Sequence, residues 1–431
     1  MISHTGQCTR LLPSILRFLS KAGSRQKIAN DEKTQLRRLC MRSYTKWLIQ
    51  LCGATAIISS SAHAQSSVTL YGIIDEGIMY LSNSGGSSRT YLDSVNGIDS
   101  SRWGLKGSED LGSGFRAIFQ IESGINLNSG AFAQGGTPFG RQAYVGLSSA
   151  QYGSLTLGRQ YDMIFYFPAS ISPVAIGSVI FGHPGDLDNT AHSLRVNNAV
   201  RYMSPNFGPF TFGGEYSVGG IVGNTTSNSG YSLGAEFANG PLTIAAAFEY
   251  FKNPTSATAG SGFFTGNSNG ISPLALSLNS AYTSATAYQV FTVAGNYVIG
   301  PFTLMASGSQ TEYANLGGGF AGAAARFRDV DVGVQYKATP SLFFALAYNY
   351  LAGAGVRTAA GSTVGNQHYH QLGAMADYII SKRTDIYFDA GWQLAKGTSS
   401  LGTVAVADIS NQGDSSNNHQ FLFRLTLRQK F

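Results

Sequence analysis

Thiols are the first scarcity. The chain of 431 residues has three cysteines, Cys8, Cys40 and Cys52, and none after residue 52. No disulfide can form in the remaining sequence, which is how a chain exported through an oxidising compartment avoids stray cross-links. Charge is scarce as well. Asp, Glu, Lys and Arg make up 12% of the residues, about half the usual share. After Ala64 no run of about twenty apolar residues occurs, so no transmembrane helix is expected there. The net charge of +6 does not argue for a nucleic-acid partner. Residues 1–64 hold ten of the 29 basic residues and two of the 23 acidic ones, which leaves the rest with 19 basic against 21 acidic.

What the chain has instead is 53 Gly, 22 Tyr and 26 Phe. Glycine and aromatics without Leu-type helical stripes lean towards β structure.

The stretch MRSYTKWLIQLCGATAIISSSAHAQ opens at Met41. Arg42 and Lys46 form a basic start, an apolar core follows, and Ala62 and Ala64 supply the small residues of a cleavage site. This is the pattern of a secretory signal peptide, read here as residues 41–64 with cleavage between Ala64 and Gln65. Its apolar run is too short to span a bilayer as a helix. Residues 1–40 precede the basic start and are read as a non-native upstream extension, with translation beginning at Met41. Residues 65–431 form the remaining domain.

From Ser66 onward the hydrophobic pattern has period two. SVTLYGIIDEGIMYL and SRWGLKGSE read as strands, and pairs such as EFANGPLTIAAAFEY and NYVIGPFTLMASG read as strand, tight turn, strand. Short turns alternate with long polar links. An antiparallel barrel in an outer membrane has that asymmetry, and the chain holds about sixteen such strands. The barrel must close, because a free sheet edge in lipid would leave backbone groups unsatisfied. A secreted β-sandwich or propeller is the soluble alternative, but a sandwich needs polar outer faces and no blade-like repeat occurs.

The last residues, HQFLFRLTLRQKF, fit the same reading. Phe421, Phe423, Leu425, Leu427 and Phe431 share one parity and would face lipid. Arg424, Arg428 and Lys430 share the other and would add a basic stripe inside. A chain that stops on an aromatic ring places it where a girdle residue belongs.

The segments SSVTLYGIIDEG, SRWGLKGSEDLGSGFRAIFQIESG, FGRQAYVGLSSAQYGSLTLGRQYD and RVNNAVRYMSPNFG, with the terminal Phe431, resemble the trimeric general porins of Gram-negative bacteria, especially the β-proteobacterial type. The resemblance runs over residues 65–431 and is densest in 66–218 and at the end. It implies a sixteen-stranded outer-membrane β-barrel, a homotrimer, and an inward-folded constriction loop at about 161–194. It also implies lipid and lipopolysaccharide around the barrel, and a terminal strand read by the outer-membrane assembly machinery, with Phe431 as its signal. Carried over by motif, the wall side of the constriction is Arg102, Arg141 and Arg195. Asp186 and Asp188 would face the channel from the loop, with Asp162 at its base. Arg159 and Arg201 are further lumen candidates. Ile73 and Asp75 stand where relatives have a lysine, which puts part of the basic side in doubt.

No phosphate loop, zinc motif or nucleophile elbow occurs, so the chain is read as a non-enzyme with no cofactor and no metal. His183 and His192 fall in the inferred loop. His368 and His370 flank Tyr369 and share a face, which could hold a metal, but no third ligand follows in the pattern. The resemblance implies passive diffusion of ions and small hydrophilic solutes, with a weak anion preference. A substrate-selective channel and a structural or adhesive barrel are the alternatives.

Overall fold

A computed structural model describes residues 66–255, 262–268, 270 and 272–431. Residues 1–65, where the sequence leads one to expect an upstream extension and a signal segment, lie outside the described residues. Sixteen long antiparallel strands form one closed sheet. They are β1 (Ser67–Ser84), β2 (Arg102–Gly112), β3 (Phe115–Asn126), β4 (Gln142–Ser149), β5 (Gly153–Gln160), β6 (Val196–Met203), β7 (Phe210–Ser217) and β8 (Gly230–Asn239). They continue with β9 (Leu242–Lys252), β10 (Ala287–Ile299), β11 (Phe302–Ala314), β12 (Ala325–Thr339), β13 (Leu342–Gly353), β14 (His368–Ile379), β15 (Thr384–Lys396) and β16 (His419–Lys430).

Each strand pairs with its sequence neighbour, and β16 returns to β1, with Ile73 opposite Lys430 and Leu81 opposite Leu422. The closure extends to the final residue. The Phe431 N–H donates to the Gly72 carbonyl at 3.0 Å, and the Gly72 N–H to the Phe431 carbonyl at 3.1 Å. The ring of Phe431 lies over Gly72, where a Cβ would stand 2.3 Å from a ring carbon. No other residue fits that position without moving the ring.

Seven of the links between these strands are short turns and eight are long. The first long link folds back as an added strand, Ser87–Asp93, paired with β1. Strand parity sorts the side chains. Phe421, Phe423, Leu425 and Leu427 stay 42–54% exposed, while Gln420, Leu422, Arg424 and Thr426 between them are buried. Apolar residues such as Val68, Leu70, Leu157, Phe212, Leu233, Val293, Leu304, Val330 and Leu346 are exposed around the sheet. On a soluble protein a patch of that extent would aggregate. On a membrane barrel it is the lipid-facing band.

The core lies inside the ring. The link between β5 and β6 carries a short helix, Met163–Tyr166, and four turns of 3-10 helix. Its apolar residues Met163, Ile164, Phe167 and Ile171 join one buried cluster, and Ile176, Val179, Ile180 and Phe181 join another with Met79, Leu81, Met375 and Leu422. The wall makes room with glycine. A Cβ on Gly234 would meet the Phe167 ring at 2.4 Å, and one on Gly373 would meet the Ile180 carbonyl oxygen at 2.8 Å.

Candidate functional site: an inward segment and an arc of arginines

The segment from Tyr161 to Leu194 is bound to the inner wall along its length. Met163 N–H donates to the Ser232 hydroxyl at 3.2 Å. The Tyr288 hydroxyl donates to the Leu187 carbonyl at 2.8 Å. The Gln371 amide donates to the carbonyls of Ile180 and Gly182 at 2.9 and 2.8 Å. Ser178 and Val179 N–H groups reach the carbonyls of Gly97 and Asn96, tying the segment to the link between β1 and β2.

The expectation that Asp186 and Asp188 face the channel needs correction. Asp162, Asp186 and Asp188 are 1%, 7% and 1% exposed. Asp162 caps the short helix by accepting from the Phe165 N–H at 3.0 Å, and takes the Asn189 amide at 2.6 Å. Asp186 accepts the N–H groups of Ala191 and Ser193, both at 2.8 Å. Asp188 accepts from Thr190 at 2.8 Å and from Ser309 on the wall at 2.5 Å, and pairs with His183 at 2.8 Å. Burial pushes the Asp162 carboxyl up to about 6 against its backbone hydrogen bonds. Burial and the neighbouring Asp188 push Asp186 up to about 6. Burial also opposes ionisation of Asp188, but His183 draws it down to about 2. These acids fold the segment and fasten it, and their oxygens are taken up in doing so.

The arginines are brought together by register. Arg102 opens β2 opposite Gly124 of β3, Glu122 of β3 stands opposite Gln142 of β4, Ala143 opposite Arg159 of β5, and Gln160 opposite Val196 of β6. Arg102, Arg141, Arg159 and Arg195 therefore sit at one level at the ends of β2, β4, β5 and β6, with Glu122 of β3 among them. Arg141 lies in the bend just before β4, where the strand alternation does not yet hold. Its guanidinium pairs with Glu122 at 2.7 Å. Arg102 pairs with Asp99 at 2.7 Å and approaches Glu122 at 3.9 Å. Arg159 donates to neutral partners, the Gly140 and Gly266 carbonyls at 2.8 and 3.0 Å and the Asn197 amide oxygen at 2.6 Å. Arg195 donates to the His192 carbonyl at 2.6 Å and the Tyr161 hydroxyl at 3.2 Å, with its guanidinium over the Tyr161 ring. The arc is felt by its neighbours. Burial, then Arg195, Arg141 and Arg102, push His192 well below its usual value. Burial would raise Tyr161, yet Arg141 and Arg195 bring it down.

Glu122 and Asp99 are site residues that the sequence pattern did not single out, although Glu122 shares inward parity with Gln120 in FRAIFQIE. Arg201 stacks under Tyr166, 4.4 Å from its centroid, and stands opposite Glu215 in the sheet. The two arginines of the basic stripe expected on β16 are neutralised. Arg424 is fully buried against Asp75 at 2.7 Å, and Arg428 pairs with Asp385 at 2.9 Å and Asp99 at 2.8 Å. Asp75, the residue that departs from the basic pattern, is thus the counter-ion of the closing strand. His368 and His370 turn outward, with the Tyr350 and Tyr348 hydroxyls on their Nδ1 atoms at 3.1 and 2.7 Å.

A closed sixteen-stranded barrel with an apolar outer band and a segment folded into its interior defines an outer-membrane β-barrel. The family model for Gram-negative porins matches residues 52–398, and the chain belongs to that family. An outer membrane porin protein of Bordetella pertussis is 37% identical over 217 residues, covering 44% of this chain and 56% of that protein. Outer membrane porin protein 32 of Delftia acidovorans is 33% identical over 204 residues, with the same two shares. The chain thus spans little more than half the length of these relatives. The major outer membrane protein P.IB of Neisseria meningitidis serogroup B is 27% identical over 350 residues, 79% of this chain and 92% of that one. Among solved structures, an anion-selective porin from Comamonas acidovorans superposes with a TM-score of 0.66 at 22% identity, over 85% of this chain and all of that one. At that identity the likeness speaks for the fold.

Proposed function

We propose that the protein is a general diffusion channel of the outer membrane, a water-filled passage for ions and small hydrophilic solutes, with a weak preference for anions. The observation that carries this reading is the arc of Arg102, Arg141, Arg159 and Arg195 at the level of the inward segment. Its acidic partners in salt bridges among the described residues are Asp99 and Glu122, so positive charge exceeds negative charge there. The segment's own aspartates are committed to its folding and leave the excess standing. Rings of fixed charge tune ion preference in this way. The anion-selective porin of Comamonas supports the same reading by its name and its fold.

The working form is proposed to be a homotrimer, surrounded by lipid and lipopolysaccharide. A solved neighbour from Vibrio cholerae is described in a trimer form. Passive flow needs no bond-breaking chemistry, and no enzymatic role is assigned. Planar-bilayer recording tests the proposal. Large ohmic steps with a reversal potential of anion sign across a salt gradient are expected. A protein that inserts as folded barrels without conducting would favour the adhesive or structural alternative, and saturable block by one solute would favour a substrate-selective channel.

A further inference from the structure

The outward histidines, which the channel does not use, belong to a larger group. Arg328 of β12 stands opposite Ala352 of β13, Ala352 opposite His368 of β14, and His368 opposite Lys396 of β15. These residues form one register row across the sheet. Arg328 and Lys396 are exposed and His368 is half-buried, while Phe327, Asp329, Tyr369 and Ala395 beside them in sequence are buried. The row therefore lies on the outer face, and His370 shares that face two positions along β14. We propose that Arg328, His368, His370 and Lys396 form a binding surface for the phosphate groups of lipopolysaccharide in the outer leaflet. The inference rests on the lipopolysaccharide setting proposed above, and not on conduction.

Three observations carry it. The first is placement. Arg328 lies near the start of β12, His368 opens β14 and Lys396 ends β15, and these strand ends join the long links 315–324, 354–367 and 397–418. The longer loops of an outer-membrane barrel face the outside. Further along the same strands Val330, Val332, Leu346 and Leu372 are 41–56% exposed and belong to the lipid-facing band. The row thus stands where acyl chains give way to headgroups. The second observation is charge. Arg326, on the same face, is paired with Glu312 at 2.6 Å. Arg328 donates to the neutral amide oxygen of Gln310 at 3.3 Å. Among the described residues neither Arg328 nor Lys396 takes part in a salt bridge. The acids of β12, Asp329 and Asp331, are buried on the inner face. Cations left unopposed beside an apolar band are matched by anionic headgroups.

The third observation is the set of donors. The Tyr350 hydroxyl lies 3.1 Å from His368 Nδ1 and the Tyr348 hydroxyl 2.7 Å from His370 Nδ1. With each O–H donating to Nδ1, the ring proton sits on Nε2, and a protonated ring carries one there as well. Both rings then offer an N–H donor, where a metal would need a lone pair. Guanidinium, ammonium and imidazole N–H groups together suit phosphate oxygens, which accept short charge-assisted hydrogen bonds. Neighbouring strands lie about 4.8 Å apart, so Arg328 and His368 are about 10 Å apart at the backbone. The Ala352 side chain between them is too short to fill that gap, which leaves room for a phosphate group. Sequence spacing hides the set, because three strands contribute to it and only register aligns them.

The test titrates the full barrel, purified in detergent, with lipid A bearing both phosphates and with the same lipid A after enzymatic dephosphorylation, read by native mass spectrometry. The phosphorylated lipid should bind at least about tenfold more tightly. The Arg328→Gln, Lys396→Gln variant should lose about tenfold or more of that affinity. Lys382→Gln, in the exposed short turn between β14 and β15 at the opposite rim, should bind as the wild type does. Equal affinity for the two lipids, or a double variant that binds the phosphorylated lipid unchanged, would overturn the proposal. Inorganic phosphate at equal concentration should not displace the lipid, and displacement would also overturn it. Should the double variant not fold, the salt dependence of the wild type decides. A preference for phosphate that vanishes near 1 M salt, where the Debye length is about 3 Å, supports the surface, and one that salt does not move refutes it. Conductance in planar bilayers is recorded in parallel. A barrel that conducts without discriminating the lipids overturns this inference alone, and one that discriminates without conducting supports it and removes the channel reading.

Discussion

Replacing Arg102 and Arg141 with glutamine removes two positive charges from the arc while leaving side chains of comparable reach. An ion passing about 8 Å from one guanidinium interacts with it by about 0.5 kcal/mol in water. At physiological salt the Debye length is about 8 Å, which cuts this to about 0.2 kcal/mol. Anions lose what cations gain, so the permeability ratio moves by the exponential of twice that energy, about twofold per charge and about fourfold for the pair. At an ionic strength of about 0.01 M the Debye length is about 30 Å, and the pair should then shift the ratio by about tenfold or more. The assay is the reversal potential of bilayer-inserted protein across a fixed salt gradient, at both ionic strengths. Folding is checked by heat-modifiable gel mobility. Arg326→Gln is the control, because that arginine is half-exposed on the outer face and pairs with Glu312. A shift towards cations that grows as salt falls is expected for the pair, and none for Arg326→Gln. A reversal potential that stays put at low salt would remove Arg102 and Arg141 from the path of the ions.

Arg424→Met should destabilise the barrel by about 3–5 kcal/mol, since it strands the fully buried Asp75 carboxylate, and urea unfolding in detergent measures it. Deleting Phe431 removes two backbone hydrogen bonds to Gly72 and the ring above it. The yield of folded barrel in the outer membrane should fall more than the melting temperature of the barrel that does form, and unchanged yield would refute an assembly role. Gly373→Val sets side-chain atoms against the Ile180 carbonyl and the Phe181 ring. It should cost about 1–3 kcal/mol as an overpacked contact and change single-channel conductance by displacing the segment. Asp99 is held below its usual range because Arg102 and Arg428 outweigh burial. Its contribution to stability is therefore present above the ordinary carboxylate value and lost as pH falls through the lower folded value. Between about pH 6 and pH 3 the wild type should lose more stability than Asp99→Asn.

The outer half of this protein was legible in the sequence. Period-two alternation assigns each residue a face as soon as a strand is recognised, because successive side chains must point oppositely. Phe421, Phe423, Leu425 and Leu427 could be placed on lipid, and Arg424 and Arg428 inside, with no knowledge of their neighbours. Closure also followed, since lipid tolerates no open edge. The inner half was decided by tertiary structure. Whether Arg424 lends its charge to a channel depends on Asp75, Asp93 and Tyr387 from other strands, and only register brings these together. Asp186 and Asp188 look like channel acids in a polar loop, yet the loop's own backbone N–H groups, its His183 and the wall at Ser309 claim their oxygens. A buried segment must satisfy its polar groups from whatever lies opposite it, and what lies opposite is fixed by the path of the chain through space, across separations that local spacing does not encode.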